Sequence, residues 1–381
     1  MLQLSFSLDQ FLSQYWQKKP VVIRGGFADF VDPISPDELA GLTMEEEIDS
    51  RFVSNLDGQW SAEHGPFDEE KLTQLGESHW QLIVQAANHW HPGAAQLVEP
   101  FKAMPQWLFD DVMVCYSAPG GGVGPHIDQY DVFIIQGQGK RRWRVGALDE
   151  GQYQEQCRTD ALRQIEGFDA VIDDVLEPGD IIYIPPGYPH EGQTLEASMS
   201  YSVGFRSPKE QELLSNFADY VLAHDMGDAH LHNPELQARQ AHGAISQTDL
   251  AQLDTMLNAA LRSPETVRHF MGCMLSQSRH QLDVVEPEEP YLEEQIQSNL
   301  YAGDALYKVS GLRALYHENE PLTAFINGEV FHVTDDQAPL LQHLCNEDSV
   351  TLDDLESHQS VETFQLLTQL VNKGFWYFPE Y

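Results

Sequence analysis

The chain has 381 residues, with 60 acidic against 21 basic side chains, a formal net charge of -39 and a pI near 4.5. This length exceeds what a single hydrophobic core usually supports, so two or three domains are expected. The charge repels nucleic-acid phosphates and attracts basic partners, although the same charge can also serve solubility alone.

The cysteines and the absence of long apolar runs bear on the cellular setting. Four widely spaced residues, with no CxxC pair, are Cys115, Cys157, Cys273 and Cys345. This spacing argues against a zinc knuckle or a disulfide scaffold and favours a reducing cytoplasm. No stretch approaches 18 apolar residues and no signal-peptide pattern opens the chain, so neither export nor membrane binding is expected.

The first half of the chain predicts mainly strands. A capping box at Ser7 opens a short helix to Tyr15, and residues 20–26 form a strand. Further strands are expected at residues 112–116, 132–136, 140–145, 170–172, 181–184 and 199–205. Short strands separated by Gly and Pro, closing a pocket, are typical of a double-stranded β-helix, the cupin-like jelly roll.

The second half predicts helices and then a hairpin. Apolar residues recur at helical spacing over 213–221 and 250–261, and Ser263-Pro264 begins a third helix. After a proline-bearing hinge at 286–290, Asn327-Gly328 indicates a two-residue hairpin, followed by helices at 338–345 and 361–372 and a strand at 375–378.

These patterns predict an α+β protein with three domains. Residues 1–207 form the jelly roll, 208–285 a helical domain, and 286–381 an acidic domain that resembles a winged helix. Winged helices often bind DNA, but residues 281–381 carry 19 acidic side chains against Lys308, Arg313 and Lys373. Direct DNA binding is therefore not expected, and a protein-contact or structural role is.

The most informative motif is a divided set of metal ligands. His126 and Asp128 follow a glycine-rich run and share one face of a strand, while His190 closes a stiff Pro-Pro-Gly-Tyr-Pro turn. Each histidine alone is better explained as a turn or surface residue. Together the three make a facial triad, which suits Fe(II) and leaves positions open for O2 and a co-substrate.

A strand of basic residues predicts the co-substrate. Period-two alternation turns Arg141 inward with Trp143 and Val145, and a buried guanidinium requires an anion. We expect Arg141 to bind the distal carboxylate of 2-oxoglutarate. The alternative is a structural salt bridge from Arg141 to an acid such as Asp131.

Four further residues are candidates for the same pocket. Cys115 and Ser117 share the inner face of the preceding strand and are predicted to touch the co-substrate, although Cys115 can equally be a core residue. Tyr130 and Asp131 follow the metal ligands and are predicted to lie at the pocket mouth, facing a cationic substrate side chain.

Over nearly its whole length the chain resembles the JmjC-domain ribosomal oxygenases, and their bacterial branch most closely. The resemblance rests on residues 16–22, on 120–131 with His126-Ile127-Asp128, on 133–145, on 177–192 and on the helical and winged-helix half. It implies Fe(II) on His126, Asp128 and His190, 2-oxoglutarate on Arg141, and a homodimer formed through the helical domain. Human relatives carry lysine in place of Arg141, and relatives tend to carry serine in place of Cys115.

The resemblance also implies the reaction. A JmjC oxygenase of this branch uses O2 and 2-oxoglutarate to hydroxylate an arginine of a basic protein of the large ribosomal subunit, releasing succinate and CO2. Three alternatives remain open: hydroxylation of histidine or another residue, lysyl demethylation, and a non-catalytic metal-binding jelly-roll dimer. A DNA-binding regulator based on the winged helix ranks last.

Overall fold

The computed structural model describes residues 2–159, 162–238, 240, 243–259, 261, 263–355 and 359–379. Internal contacts divide the chain into two compact units. The first comprises Met1–Ser207, Arg279–Leu312 and Phe364–Tyr381, and the second comprises Pro208–Ser278 and Arg313–Thr363.

The first unit is built mainly from strands. They are β1 (Val21–Ile23), β2 (Ser50–Ser54), β3 (Ser61–His64), β4 (Trp80–Val84), β5 (Phe109–Ser117), β6 (His126–Ile127), β7 (Asp131–Gln136), β8 (Arg141–Gly146), β9 (Glu155–Thr159), β10 (Leu162–Ile165), β11 (Ala170–Leu176), β12 (Ile181–Ile184), β13 (Pro189–Thr194) and β14 (Ser198–Phe205). The short helices among them are α1 (Leu8–Gln14), α2 (Pro36–Leu42), α3 (Glu69–Thr73) and α4 (Pro92–Ala95).

The later part of the chain carries the remaining elements. Its helices are α5 (Glu210–Ala223), α6 (Gln247–Leu257), α7 (Pro264–Ser276), α8 (Glu293–Ala302), α9 (Ala338–Asn346) and α10 (Val361–Asn372). Its strands are β15 (Leu306–Lys308), β16 (Ala314–His317), β17 (Glu320–Ile326), β18 (Glu329–His332), β19 (Ser349–Val350) and β20 (Trp376–Tyr377).

Two antiparallel sheets form the jelly roll. The larger has the strand order β1-β12-β7-β14-β5-β4-β2-β3, and the smaller has the order β11-β8-β13-β6. One apolar cluster contains Val132, Ile134 and Ile182 of the larger sheet with Trp143 and Val145 of the smaller, so it fills the space between the sheets. Strand β7 is buried on both faces because its alternate residues enter a second core.

That second core covers the outer face of the larger sheet. Phe133 and Tyr183 point into it and pack against Phe11 of α1, in a cluster that also contains Leu39 of α2. Ser7 caps α1 by accepting from the Gln10 backbone N–H at 3.4 Å, which is one half of the expected capping box. Alternate residues of one strand therefore serve opposite cores, which matters for the site below.

The second unit contains the predicted hairpin and the third predicted helix start. Asn327 and Gly328 have φ of 48° and 84° and join β17 to β18, as a type I′ turn requires. Ser263 accepts from the Thr266 N–H at 3.3 Å at the start of α7. Both sequence predictions are confirmed.

Three strands of the larger sheet lie in a region whose sequence pattern predicts no element. β2, β3 and β4 fall between residues 50 and 84, and β4 pairs directly with β5. His190 was expected in a turn, yet it is the second residue of β13. Pro189 begins that strand, a position in which proline removes no necessary ladder hydrogen bond.

Candidate metal and co-substrate site

The three predicted metal ligands come together on the smaller sheet. β6 pairs antiparallel with β13 so that His126 lies opposite His190, and Asp128 follows β6 on the same face as His126. The loop before His190 is held against this edge, because the Gly187 N–H donates to the Asp128 carbonyl at 2.8 Å. Gly187 has a φ of 82°, which favours glycine there.

Each histidine is oriented by its own backbone. His126 Nδ1 lies 2.9 Å from the Gly124 carbonyl oxygen, and His190 Nδ1 lies 3.0 Å from that of Tyr188. A carbonyl only accepts, so both Nδ1 atoms carry the proton and both Nε2 atoms present a lone pair. The two Nε2 atoms lie 3.7 Å and 3.5 Å from Asp128 Oδ2, and the ring centroids are 4.2 Å apart.

The surroundings hold two of these groups in the forms that bind a cation. Burial, together with His190, lowers the pKa of His126, which keeps that imidazole neutral. Burial alone would raise the pKa of Asp128, but protonated His126 and His190 outweigh it and lower the pKa to about 2, so the carboxylate is already ionised when His126 loses its proton. A neutral imidazole beside an ionised carboxylate is a set that suits Fe(II).

Tyr130 lies next to this triad. Burial first, and then the Asp128 charge, raise the pKa of the Tyr130 hydroxyl, so it stays protonated beside that carboxylate. Its ring packs with the apolar cluster between the sheets. Tyr130 is half-buried, so part of its side chain remains accessible beside the triad.

Arg141 shares the inner face of β8 with Trp143, whose ring lies 6.1 Å from that of His190, and is only 3% exposed. Its Nη1 donates to Ser200 Oγ at 2.9 Å, and its Nη2 donates to Gln81 Oε1 at 3.0 Å and to the Gly192 carbonyl at 3.2 Å. Its guanidinium carbon lies 5.1 Å from the centroid of the Trp143 ring. Burial lowers the pKa of Arg141.

No acidic side chain pairs with Arg141 among the residues that the structure describes. Every acceptor it uses is neutral, and its buried Nε–H has no hydrogen-bond partner. The alternative of a salt bridge to Asp131 is wrong, because that carboxylate lies on the other face of the larger sheet. A buried cation that has no acidic partner favours the binding of an anionic ligand.

Two residues of this pocket were absent from the sequence analysis. Gln81 of β4 accepts from Ser117 Oγ at 2.9 Å as well as from Arg141, and Ser200 of β14 lies opposite Cys115. A glutamine inside the otherwise apolar run of β4 was a usable signal. The proximity of Ser200 depends on strand order, which the sequence does not reveal.

Cys115 and Ser117 do lie beside Arg141, though each has close neighbours within the protein. Cys115 is 2% exposed and packs with Val53 and Ile83. Burial raises the pKa of its thiol to about 11, against smaller effects from Arg141, Arg51, Gln81 and Ser200. Cys115 therefore stays a neutral thiol, and the Ser117 hydroxyl is engaged by Gln81.

Asp131 does not lie at the pocket mouth. It is 1% exposed; Oδ1 accepts from the Tyr183 hydroxyl at 2.5 Å and Oδ2 from Gln17 Nε2 at 2.9 Å. Alternation explains the difference, since Asp131 shares the outward face of β7 with Phe133. The contact predicted between Asp131 and a cationic substrate is contradicted by this burial.

Comparison with known proteins places the chain in a family. Residues 96–213 match the family model described as a JmjC domain, and residues 250–377 match the model described as a ROXA-like winged helix. The ribosomal protein uL16 3-hydroxylase of Escherichia coli is 45% identical over 99% of both chains. The chain belongs to the JmjC-domain ribosomal oxygenases. A probable ribosomal oxygenase of Haemophilus influenzae is 32% identical over 84% of this chain and 80% of its own length.

Solved structures support the same placement. Escherichia coli YcfD in complex with cobalt and 2-oxoglutarate has a TM-score of 0.91 and 44% identity over the whole of both chains, and its complex with cobalt and succinic acid has the same values. The predicted fold class is confirmed, as is the predicted class of enzyme, an oxygenase that uses Fe(II), 2-oxoglutarate and O2.

Two other predictions concern the domain boundaries and membrane-spanning helices. The winged-helix match begins at residue 250, inside the region predicted as a separate helical domain, so the two predicted domain boundaries stay predictions. Among the described residues, no helix combines the length and apolar character that a membrane crossing needs.

Proposed function

We propose that this oxygenase hydroxylates an arginine side chain of a basic protein of the large ribosomal subunit. In this proposal His126, Asp128 and His190 hold Fe(II), and Arg141 holds the distal carboxylate of 2-oxoglutarate. The main evidence is that the structure contains both an oriented triad and, on a neighbouring strand, the buried Arg141 guanidinium without a carboxylate partner.

The triad residues fit the metal chemically. Both Nε2 lone pairs converge on the same region as Asp128 Oδ2, while both Nδ1 protons are fixed on carbonyls. Three protein ligands leave coordination positions for small molecules, whereas a structural zinc site would normally use a fourth protein ligand. When bound, Fe(II) supplies oxygen activation coupled to decarboxylation of 2-oxoglutarate to succinate and CO2.

The protein's own part is to orient and to exclude water. Arg141 fixes the far end of the co-substrate from a dry position beside Trp143, where a charged hydrogen bond is strong. The Tyr130 hydroxyl stays protonated beside Asp128, and we propose that it donates to that carboxylate. Its partial exposure beside the triad supports the proposal that it also contacts the target side chain.

The choice of substrate rests on charge and on relatives. A net charge of -39 attracts basic proteins, and ribosomal proteins are strongly basic. The Escherichia coli relative is named a 3-hydroxylase of ribosomal protein uL16, a protein of the ribosome. We therefore place the substrate of this chain in the same class.

We also propose that the enzyme is a homodimer formed through α6. Leu250, Leu253 and Leu257 of this helix are 47%, 46% and 78% exposed, which is unusual for leucines at core spacing. Light scattering of Leu253→Glu/Leu257→Glu should report half the wild-type mass, because two buried charges oppose the packing. An unchanged mass would remove α6 from the interface.

Succinate release tests the enzymatic proposal. With a recombinant large-subunit protein as substrate, His126→Ala and Asp128→Ala should lower substrate-dependent succinate formation by about two orders of magnitude or more. His64→Ala, at an exposed position on β3, is the matched control and should keep wild-type turnover. Full turnover in the two triad variants would refute the metal assignment.

Mass spectrometry separates the candidate targets. Ribosomal proteins from cells with and without this enzyme should differ by one oxygen on an arginine. One oxygen on a histidine, or the loss of a methyl group from lysine, would replace arginine hydroxylation with one of the alternative reactions.

A further inference from the structure

Gln81 occupies a central position in the co-substrate pocket. It is 2% exposed, and its Oε1 accepts from Arg141 Nη2 at 3.0 Å and from Ser117 Oγ at 2.9 Å. β4 places it there by pairing Gln81 with Ser117 and Ile83 with Cys115. Gln81 is neither a triad residue nor part of β6 or β13, and it supports the Arg141 guanidinium from β4.

The orientation of the Gln81 amide follows from its neighbours. A guanidinium only donates hydrogen bonds, so the Gln81 atom that faces Arg141 must be the oxygen. Gln81 is therefore locked in one of its two amide orientations.

The neutrality of this contact is the decisive feature. Gln81, Ser200 and the Gly192 carbonyl fix the Arg141 guanidinium in place without cancelling its charge. A carboxylate in the same position would form a buried ion pair and leave little net field for a ligand.

We propose that Gln81 is a positioning residue that makes the pocket selective for dicarboxylate 2-oxoacids, by holding Arg141 rigid and uncompensated. The inference rests on the proposed role of Arg141. A 2-oxoacid with a second carboxylate supplies the charge that Arg141 lacks, whereas a monocarboxylate such as 2-oxopentanoate leaves a buried cation unpaired.

The test is Gln81→Glu, which keeps the shape of the side chain and adds one negative charge. Calorimetric titration of the Mn(II)-loaded protein would give the dissociation constants of 2-oxoglutarate and 2-oxopentanoate. We expect the constant for 2-oxoglutarate to rise about tenfold or more, and its preference over 2-oxopentanoate to fall by a similar factor. Gln193→Glu, exposed on the outer face of β13, is the matched control and should change neither.

Thermal unfolding of the metal-free proteins separates positioning from structural support. The Tm of Gln81→Glu should equal or exceed that of wild type, because Arg141 gains a counter-charge, and the rise in Tm on adding 2-oxoglutarate with Mn(II) should shrink. A purely structural glutamine would instead lower the Tm and weaken both 2-oxoacids equally.

Gln81→Met provides a second test of the proposal if Gln81→Glu fails to fold. Gln81→Met removes the acceptor without adding charge and should weaken 2-oxoglutarate about threefold, with less effect on 2-oxopentanoate. Unchanged constants in every folded variant, with a wild type that binds 2-oxoglutarate, would overturn the role of Gln81. A wild type that binds no 2-oxoglutarate would instead overturn the proposed function.

Discussion

Asp131 and Arg141 are two buried charges on consecutive strands of the jelly roll, and their surroundings differ. Asp131 is 1% exposed and Arg141 is 3% exposed, and both have only uncharged hydrogen-bond partners. The Asp131 carboxylate has a donor on each oxygen. The Arg141 guanidinium keeps an unpartnered Nε–H.

The two residues also face different cores. Asp131 points with Phe133 into the outer core, where Tyr183 and Gln17 tie the amino-terminal segment to the sheet. Arg141 points with Trp143 between the sheets. Burial of a charge therefore does not by itself identify a ligand site; the distinguishing observation is hydrogen-bonding capacity that the fold leaves unused.

Substitution of Arg141 should give the largest functional effect. Arg141→Met removes the charged contact and should raise the dissociation constant for 2-oxoglutarate by about a hundredfold. The free energy of unfolding should fall by no more than about 1 kcal/mol, since an uncompensated buried charge is lost as well. Titration calorimetry and urea unfolding measure the two quantities.

Arg141→Lys is the control for charge. It keeps the cation but not the planar set of donors, so its affinity for 2-oxoglutarate should lie between those of wild type and Arg141→Met. A destabilisation of several kcal/mol in Arg141→Met, with unaltered affinity, would make Arg141 a structural residue like Asp131.

Alternation was enough to predict part of this contrast from the sequence. It turned Arg141 inward and paired His126 with Asp128, and both placements agree with the structure. The same period of two, counted along β7 from Val132, would have sent Asp131 outward. Adjacency to the metal ligands suggested the pocket mouth instead, which the buried contacts of Asp131 exclude.

Other parts of the site depend on contacts between distant strands. Gln81 reaches Arg141 only because β4 pairs with β5, and Ser200 does so because β14 lies between β5 and β7. Residues 27–110 gave no strand prediction, since their apolar runs are short and interrupted. Local patterns specify which face a side chain takes, but not which strand lies beside it.

Substitution of Asp131 should affect stability more than function. Asp131→Ala leaves the Tyr183 hydroxyl and the Gln17 amide without their buried acceptor and should lower the free energy of unfolding by about 2–3 kcal/mol. The dissociation constant for 2-oxoglutarate should stay within about twofold of wild type. Urea unfolding and the same titration measure both.

Asp131→Asn keeps an acceptor for Tyr183 and is the matched control for charge. We expect Asp131→Asn to lower the free energy of unfolding by less than half as much as Asp131→Ala does. Loss of 2-oxoglutarate binding in either folded variant would contradict the division between the outer core and the pocket.

The smallest expected effect is a pH dependence of the free energy of unfolding that arises from Asp131 and not from Arg141. Burial raises the pKa of Asp131, against the lowering effects of Tyr183 and Gln17. A carboxyl whose folded pKa lies above its unfolded value of about 3.9 contributes stability that is fully present below that value and is lost as the pH rises through the folded pKa.

Relative to Asp131→Asn, wild type should therefore lose stability as the pH rises from about 4 toward neutrality, by about 1.4 kcal/mol for each pH unit that separates the unfolded and folded pKa values of Asp131. Taking the difference between the two proteins cancels the other carboxyl groups that they share. Arg141→Met should show no such slope relative to wild type, because a guanidinium stays protonated in both states over this range. Urea unfolding at a series of pH values gives both curves, and a difference that grows in favour of wild type with rising pH would mean that Asp131 is stabilised as an anion.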